Sequence, residues 1–480
     1  FIFKIVFQEM PKQFKMNKFI LLCVVMFFLC IFFHSETYAQ AASKRTIPKD
    51  WFEKDPAADS VAGISLDKAY SLLKGRKSRT IIVAVIDNGI DLLHEDLKNV
   101  IWTNKNEIPG NGIDDDQNGY IDDMHGWNFR GMQDGTIIEN EHAGSTQYYL
   151  AWKNKFENID TTLLNGEDVT GYAIYKKAKK DYFEKLDSKD SLDFLFSYNI
   201  NYNSSRFIAN DNSNLTNRFY GSPYFKLSSH LSHGTHVAGI IASQRHNGKG
   251  IDGIADNVMI MPIAATTAGG DERDKDIANA IRYAVDNGAT IISMSFSKLY
   301  SPDKKMVDEA VRYAEKKNVL LIHAAGNDGV DIDSSQNFHF PIAIYEDGTR
   351  AGNFITVGWN RPLFDYRLAH PYSDYGKLNV DLFAPGSDIF STVPGNAYDN
   401  KSGSSMSTPV VSGVAALLFS YFPTLSMKQV KEILLQSVFK PDQTVNKPQT
   451  KTPVRFDSLS ASGGIVNAYN AVKMAIELTK

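Results

Sequence analysis

Thr80-Ile81-Ile82-Val83-Ala84-Val85-Ile86-Asp87-Asn88-Gly89 is the stretch whose reading decides the rest of the chain. An unbroken apolar, largely β-branched run that ends in a carboxylate and a glycine turn has the profile of a strand buried on both faces of a parallel sheet. The profile returns at Val258–Ile263, Thr290–Met294, Val319–Ala324 and Phe354–Val357. Between these runs, Asp274–Asn287 and Lys304–Lys317 read as amphipathic helices closed by Asn-Gly or Lys-Asn stop signals. Strand and helix alternating in this way predict an α/β fold, a three-layer sandwich around a mostly parallel central sheet. In such sheets chemistry gathers at the carboxyl ends of strands, and Asp87, Ser295 and Asn327 all fall at or just past such ends.

One segment breaks the rhythm. Residues 128–225 are polar and aromatic, with Tyr148, Trp152 and Phe156 at helical spacing, followed by Tyr172, Tyr175 and Tyr182. They predict an inserted helical segment whose aromatics pack it onto the main domain, since apolar stripes at helical spacing are usually core. Composition sets outer bounds. The chain has 480 residues, 43% hydrophobic and 22% charged, with a formal net charge of -4. That is an ordinary globular balance, and it argues against nucleic acid as a partner, because such binders carry a basic excess.

The N-terminus reads separately. Met16-Asn17-Lys18 leads into the apolar run Phe19–Phe33 and then Thr37-Tyr38-Ala39, the arrangement of a secretory signal peptide with cleavage after Ala39 or Ala41. Residues 1–39 are therefore expected to comprise an upstream stretch and a signal, residues 40–79 an N-terminal segment, and residues 80–480 the main domain. The run is short for a membrane span. Export to the periplasm, the cell surface or the medium is expected, with no stable membrane insertion after cleavage. Both cysteines, Cys23 and Cys30, lie inside the apolar run, which leaves the mature chain neither disulfides nor a thiol nucleophile.

Three motifs carry chemistry. Val85-Ile86-Asp87-Asn88-Gly89-Ile90-Asp91 puts a carboxylate at a buried strand end, where it can orient a histidine. His233-Gly234-Thr235-His236-Val237-Ala238-Gly239 opens a small-residue helix that can sit close to the sheet. Two histidines three apart also suit a metal, but no HExxH glutamate or third cluster completes such a set. Gly403-Ser404-Ser405-Met406-Ser407-Thr408-Pro409 sets Ser405 at the start of an apolar helix, where outward N–H groups favour negative charge. A fourth element, Ala324-Ala325-Gly326-Asn327, places an amide donor just after a strand, where it can complete an oxyanion hole with the Ser405 N–H.

Taken together and in this order, these segments resemble the subtilisin-like serine peptidases, the subtilases, over about Ile81 to Ala471. The resemblance implies an exported serine endopeptidase. Ser405 would be the nucleophile, His233 the base and acid, Asp87 its orienting partner and Asn327 the oxyanion donor. It also implies a protein or peptide substrate lying extended beside Ser295, Phe296 and Ser297, with Ala324, Ala325 and Gly326 on the opposite wall, and a monomeric enzyme. Departures from the family pattern are Ser297 for a usual glycine, Ser404 and Ser407 beside the nucleophile, and the long Asp87–His233 interval. About forty residues between signal and first strand are too few for the family's usual folding propeptide. No room is expected after Ala468 for an anchoring domain. Asp271, Glu272, Asp274 and Asp276 are read as an acidic helix start.

Asn111–Asp123 carries oxygen-bearing side chains at alternating positions around a glycine. Asp114, Asp116, Asn118, the Tyr120 carbonyl and Asp122 are the expected ligands of a structural Ca²⁺. His125 stands where an EF-hand would need glutamate, so an EF-hand proper is excluded.

Overall fold

The computed structural model describes residues 47–186, 196–267, 269–334, 337 and 339–480. The apolar segment read as a signal peptide, with Cys23 and Cys30, lies outside them. No helix among the described residues is long and apolar enough to cross a membrane.

Seven strands form the central sheet: β1 (Ile81–Asp87), β2 (Trp127–Asn128), β3 (Val258–Ala264), β4 (Ile291–Met294), β5 (Leu320–Ala324), β6 (Phe354–Asn360) and β7 (Leu382–Pro385). Their order is β2-β3-β1-β4-β5-β6-β7, and every neighbouring pair is parallel. β2 and β3 lie on one side of β1, and β4 to β7 follow one another outward on the other, so the carboxyl end of β1, which is Asp87, sits where the strand order changes direction.

Among the described residues, the α-helices of eight residues or more in the unit spanning Lys49–Lys480 are α1 (Leu66–Leu73), α2 (Gly144–Phe156), α3 (Gly166–Leu186), α4 (Ser232–Ala242), α5 (Asp274–Asp286), α6 (Lys304–Lys316), α7 (Ser404–Tyr421), α8 (Met427–Gln436) and α9 (Ala468–Leu478). Alternation along the strands sends successive side chains to opposite faces. Ala84, Ile86, Ile292 and Met294 pack with Ile277 and Ile281 of α5 and Val307 and Val311 of α6. On the other face Ser293 accepts a hydrogen bond from Ser412 of α7, at 3.0 Å. Helix α7 is apolar and buried along nearly its whole length, as expected for a central helix, and α4 packs beside it.

Two features were not legible in the strand pattern. An antiparallel hairpin, β8 (Ile389–Val393) with β9 (Ala397–Lys401), covers α4. Its second strand is largely exposed and polar, so no apolar run marks it. Residues 49–79 also pack onto the domain: Trp51 and Phe52 are buried, and the Trp51 indole N–H donates to the Ser387 carbonyl at 3.1 Å.

Within the 128–225 segment, α2 and α3 pack on each other through Tyr148, Tyr149, Phe156, Tyr175 and Tyr182, and Tyr300 of the main domain joins the cluster. The aromatic stripe therefore holds the two helices together more than it holds them down. Anchorage comes from buried charge. Arg130 is fully buried and reaches Glu141 at 3.0 Å and Asp276 of α5 at 3.2 Å. Arg273 holds Asp276 at 2.7 Å and Asp211 at 2.7 Å, and Lys275 holds Asp211 at 2.6 Å. Tyr220 donates to Asp276 at 2.6 Å, and Ser204 donates to Glu141. Three cations face three carboxylates, so the group is neutral as a whole. Burial would raise the pKa of Glu141, but Arg130 and Arg273 outweigh it and hold the group below its ordinary range.

Removing one member strands the others. Arg130→Met is expected to cost about 3–5 kcal/mol, because Glu141 and Asp276 lose a buried partner. Urea unfolding followed by circular dichroism measures this; a loss below about 1 kcal/mol would show that the network does not anchor the segment.

Candidate active site

The site grows from the end of β1. The Asp87 carboxylate is 1% exposed and accepts the Asn88 N–H at 2.8 Å. His233, in the first turn of α4, sets Nδ1 2.9 Å from both Asp87 oxygens. Burial is the largest influence on the imidazole and pulls its pKa down; the charge and hydrogen bond of Asp87 together outweigh it, so the pKa lies above the ordinary value. The approach of α4 to β1 requires glycine at 234, since a Cβ there would fall 2.3 Å from the Gly89 carbonyl oxygen. Asn88 clamps the two elements, accepting the Gly234 N–H at 3.1 Å and donating to the His230 carbonyl.

His236 turns the other way. Its Nε2 lies 2.9 Å from the Ile389 carbonyl and 3.1 Å from that of Asp399, and burial pushes its pKa down to about 3. A ring nitrogen between two carbonyl oxygens is an N–H donor, so His236 is a core histidine and not a second metal ligand beside His233.

Ser405 lies in the first turn of α7, half-buried, where helix geometry leaves its N–H without an internal acceptor. Its hydroxyl donates to the Ser295 carbonyl at 2.9 Å, and the Ser295 hydroxyl donates back to the Ser405 carbonyl at 2.9 Å. The second bond has a cause in the sequence. The Ser405 carbonyl would pair with the N–H of residue 409, which is proline and has none. Ser295, just past β4, supplies the missing donor.

Asn327 follows β5 and is exposed. Its amide oxygen accepts the Ser404 N–H at 2.9 Å and the Ser404 hydroxyl at 3.1 Å. With the oxygen so occupied, the Nδ2 end is the part left to meet a ligand. Ser404 also accepts the Gly326 N–H at 3.3 Å, so one buried hydroxyl fixes both the turn and the amide.

The residues expected along a substrate are brought to the same edge, mostly as its floor. Ser295, Phe296, Ala324, Ala325 and Gly326 are buried, and Ser297 is half-buried. Phe296 packs edge-on against His323 at 6.1 Å. Directly beyond Ser297, Lys298 is buried, with Nζ 2.5 Å from the Glu272 carbonyl and 2.7 Å from Asp274. The Asp271–Asp276 run is thus more than an acidic helix start, because Asp274 and Asp276 each hold buried cations. Glu272 is pushed up to about 7 by burial, with Asp271 adding to the effect.

The Asn111–Asp123 loop sorts its carboxylates. Asp114 and Asp116 converge with Glu107, their ligand atoms all within 4.8 Å of one another. Asp122 stands apart: its φ of 55° turns the side chain back, where its oxygens accept the Asn111 and Gly112 N–H groups at 3.1 and 3.0 Å. The Asn118 oxygen accepts the Tyr120 N–H at 2.8 Å, while its Nδ2 faces Asp116 and Asp123 at 3.3 and 3.1 Å. The Tyr120 ring is buried. The alternating pattern missed Glu107, which lies outside the motif and reaches it by folding back; its oxygens accept the Asp116 and Asp122 N–H groups at 3.2 and 3.1 Å.

The subtilase family model matches residues 78–458, and the chain belongs to that family. It is 41% identical over 189 residues to the thermophilic serine proteinase of Bacillus sp. (strain AK1), covering 39% of this chain and 43% of that one. It is 25% identical over 425 residues to subtilisin-like protease 1 of Plasmodium berghei (strain Anka), covering 86% of this chain and 52% of that one. The chain thus spans about half the length of these curated relatives. A solved structure from the subtilase cytotoxin SubAB assembly superposes with a TM-score of 0.52 at 19% identity, covering 89% of this chain and 97% of that one, a likeness of fold.

The His233 imidazole is expected to titrate above the ordinary histidine value of 6.5. Asp87→Asn removes the charge that raises it, so the midpoint should fall. Imidazole NMR titration of both proteins measures the difference, and an unchanged midpoint would break the link to Asp87.

Proposed function

We propose that the chain is a serine endopeptidase that hydrolyses protein substrates through Asp87, His233 and Ser405, with Asn327 and the Ser405 N–H as oxyanion donors. The observation that carries this reading is His233 Nδ1 set against Asp87 at the same sheet edge as a serine on a helix N-terminus. Asp87 fixes the tautomer with the proton on Nδ1, which leaves Nε2 as the base. Ser405 Oγ attacks the scissile carbonyl carbon while its proton passes to Nε2. The oxyanion is met by the Ser405 N–H and Asn327 Nδ2. Collapse breaks the C–N bond, and His233 returns the proton to the departing amine. Water then repeats the sequence on the acyl-enzyme and releases the acid.

The Ser295 carbonyl has a second part to play in this reading. An extended substrate pairing beside Ser295–Ser297 offers it a backbone N–H. That N–H replaces the Ser405 hydroxyl on the Ser295 carbonyl and frees the hydroxyl for His233. Export through the Met16–Ala39 segment completes the reading and rests on the sequence alone.

We also propose a structural Ca²⁺ at Glu107, Asp114 and Asp116. Three convergent carboxylates repel one another, and an all-oxygen set suits a hard cation. The ion would hold the loop and take no part in the reaction.

A fluorophosphonate probe on the mature protein tests the first proposal. Labelling is expected, with none in Ser405→Ala; a folded, calcium-loaded protein that takes no label would overturn the reading. For the second, calcium titrated into metal-free protein should raise the melting temperature saturably, worth about 2.7 kcal/mol at a hundredfold excess over Kd. Asp114→Asn should blunt that rise, and an equal rise in both proteins would remove the site.

A further inference from the structure

Beneath the turn that carries Asn327, three side chains from two loops converge. Asp328 follows Asn327 directly, His339 lies on the loop after β5, and Asp374 lies between β6 and β7. One ligand atom from each lies within 4.8 Å of the others. Asp374 is fully buried. Its Oδ1 accepts the Asp328 and Val330 N–H groups at 3.1 and 2.8 Å, so its first oxygen is occupied by backbone. Its Oδ2 is buried and has no hydrogen-bond partner among the described residues, and neither ring nitrogen of His339, 4% exposed, has one.

The two unpartnered groups nevertheless face each other. His339 Nδ1 is 3.1 Å from Asp374 Oδ2, yet the alignment is not that of a hydrogen bond. Ligands of one tetrahedral ion sit about 3.3 Å apart when the bonds are about 2.0 Å, and they aim at the ion instead of at each other. The neighbouring backbone leaves room for this. Gly326 has a φ of +120°, and a Cβ on it would fall 2.0 Å from Asp374 Oδ2 and 2.3 Å from His339 Nδ1. Among the described residues no lysine or arginine pairs with Asp328 or Asp374. Asp374 has the buried His339 ring, 3.1 Å away, to meet its charge, and a buried carboxylate so placed is costly.

We propose that Asp328, His339 and Asp374 form a binding site for a divalent transition-metal ion of the Zn²⁺ class. One imidazole nitrogen with two carboxylates selects a borderline ion over Ca²⁺. Asp328 is 62% exposed at its side chain, which gives the ion an entry path and leaves positions for water. The ion would tie the Gly326–Asp328 turn to the later part of its own loop and to the loop between β6 and β7. Its bearing on catalysis rests on the peptidase reading, whereas its binding does not.

The test uses the full chain with Ser405→Ala, stripped of metal and then saturated with Ca²⁺. Zn²⁺ is titrated calorimetrically, and Co²⁺ absorption reports the ligand geometry. One equivalent of Zn²⁺ should bind. Asp328→Asn, at an exposed position that spares the fold, should weaken binding at least tenfold, and His339→Gln should weaken it more than a hundredfold. No uptake by the folded protein would overturn the proposal. So would binding that Asp328→Asn leaves unchanged, whatever His339→Gln does. Because Ser405→Ala is inactive in the peptidase reading, none of these outcomes depends on activity.

Discussion

A proline without an N–H organises the carboxyl edge of the sheet in this protein. Helix α7 cannot close its hydrogen bond from residue 409 to the Ser405 carbonyl, and the vacancy is filled by the Ser295 hydroxyl across the cleft. The start of α7 is thereby tied to the end of β4, and Ser405 is held by side chain and backbone at once. Ser404 repeats the device on the other side, binding the Asn327 amide oxygen and the Gly326 N–H. Two adjacent serines register the helix against the ends of two neighbouring strands. The central sheet is needed to give these contacts a rigid base, and its all-parallel order brings every strand's carboxyl end to the same side.

Much of this was readable in the sequence, and for physical reasons. Strands buried on both faces are continuous apolar runs, so β1, β3, β4, β5 and β6 announce themselves, and the helices between them carry one apolar face each. Asp87, Ser295 and Asn327 could be placed because strand ends follow from strand runs. The hairpin of β8 and β9 could not, since Ala397–Lys401 is solvated and has no apolar period. The acidic loop 111–123 was readable only in part. Asp114 and Asp116 follow the alternation, but a left-handed residue at Asp122 breaks it, and Glu107 arrives from outside the motif. The juxtaposition of Asp328, His339 and Asp374 is wholly tertiary: 46 residues separate the first from the last.

The aromatic segment shows the same division between local and distant information. Spacing at Tyr148, Trp152 and Phe156 reports a helix and its apolar face, but not what covers that face. The cover is chiefly the second inserted helix, while attachment depends on charges that are buried only after folding. Arg130, Glu141, Asp211, Arg273, Lys275 and Asp276 look like ordinary surface residues in sequence. Their neutral balance is a property of the assembled group.

Asp274 and Asp276 stand two residues apart in the first turn of α5. The first grips Lys298, which bridges the run after β4 to the Glu272 carbonyl; the second grips Arg130 and Tyr220 of the inserted segment. One helical turn therefore carries both attachments: the inserted segment and the run beyond β4 are salt-bridged to carboxylates two residues apart, so neither can shift without drawing on the same turn.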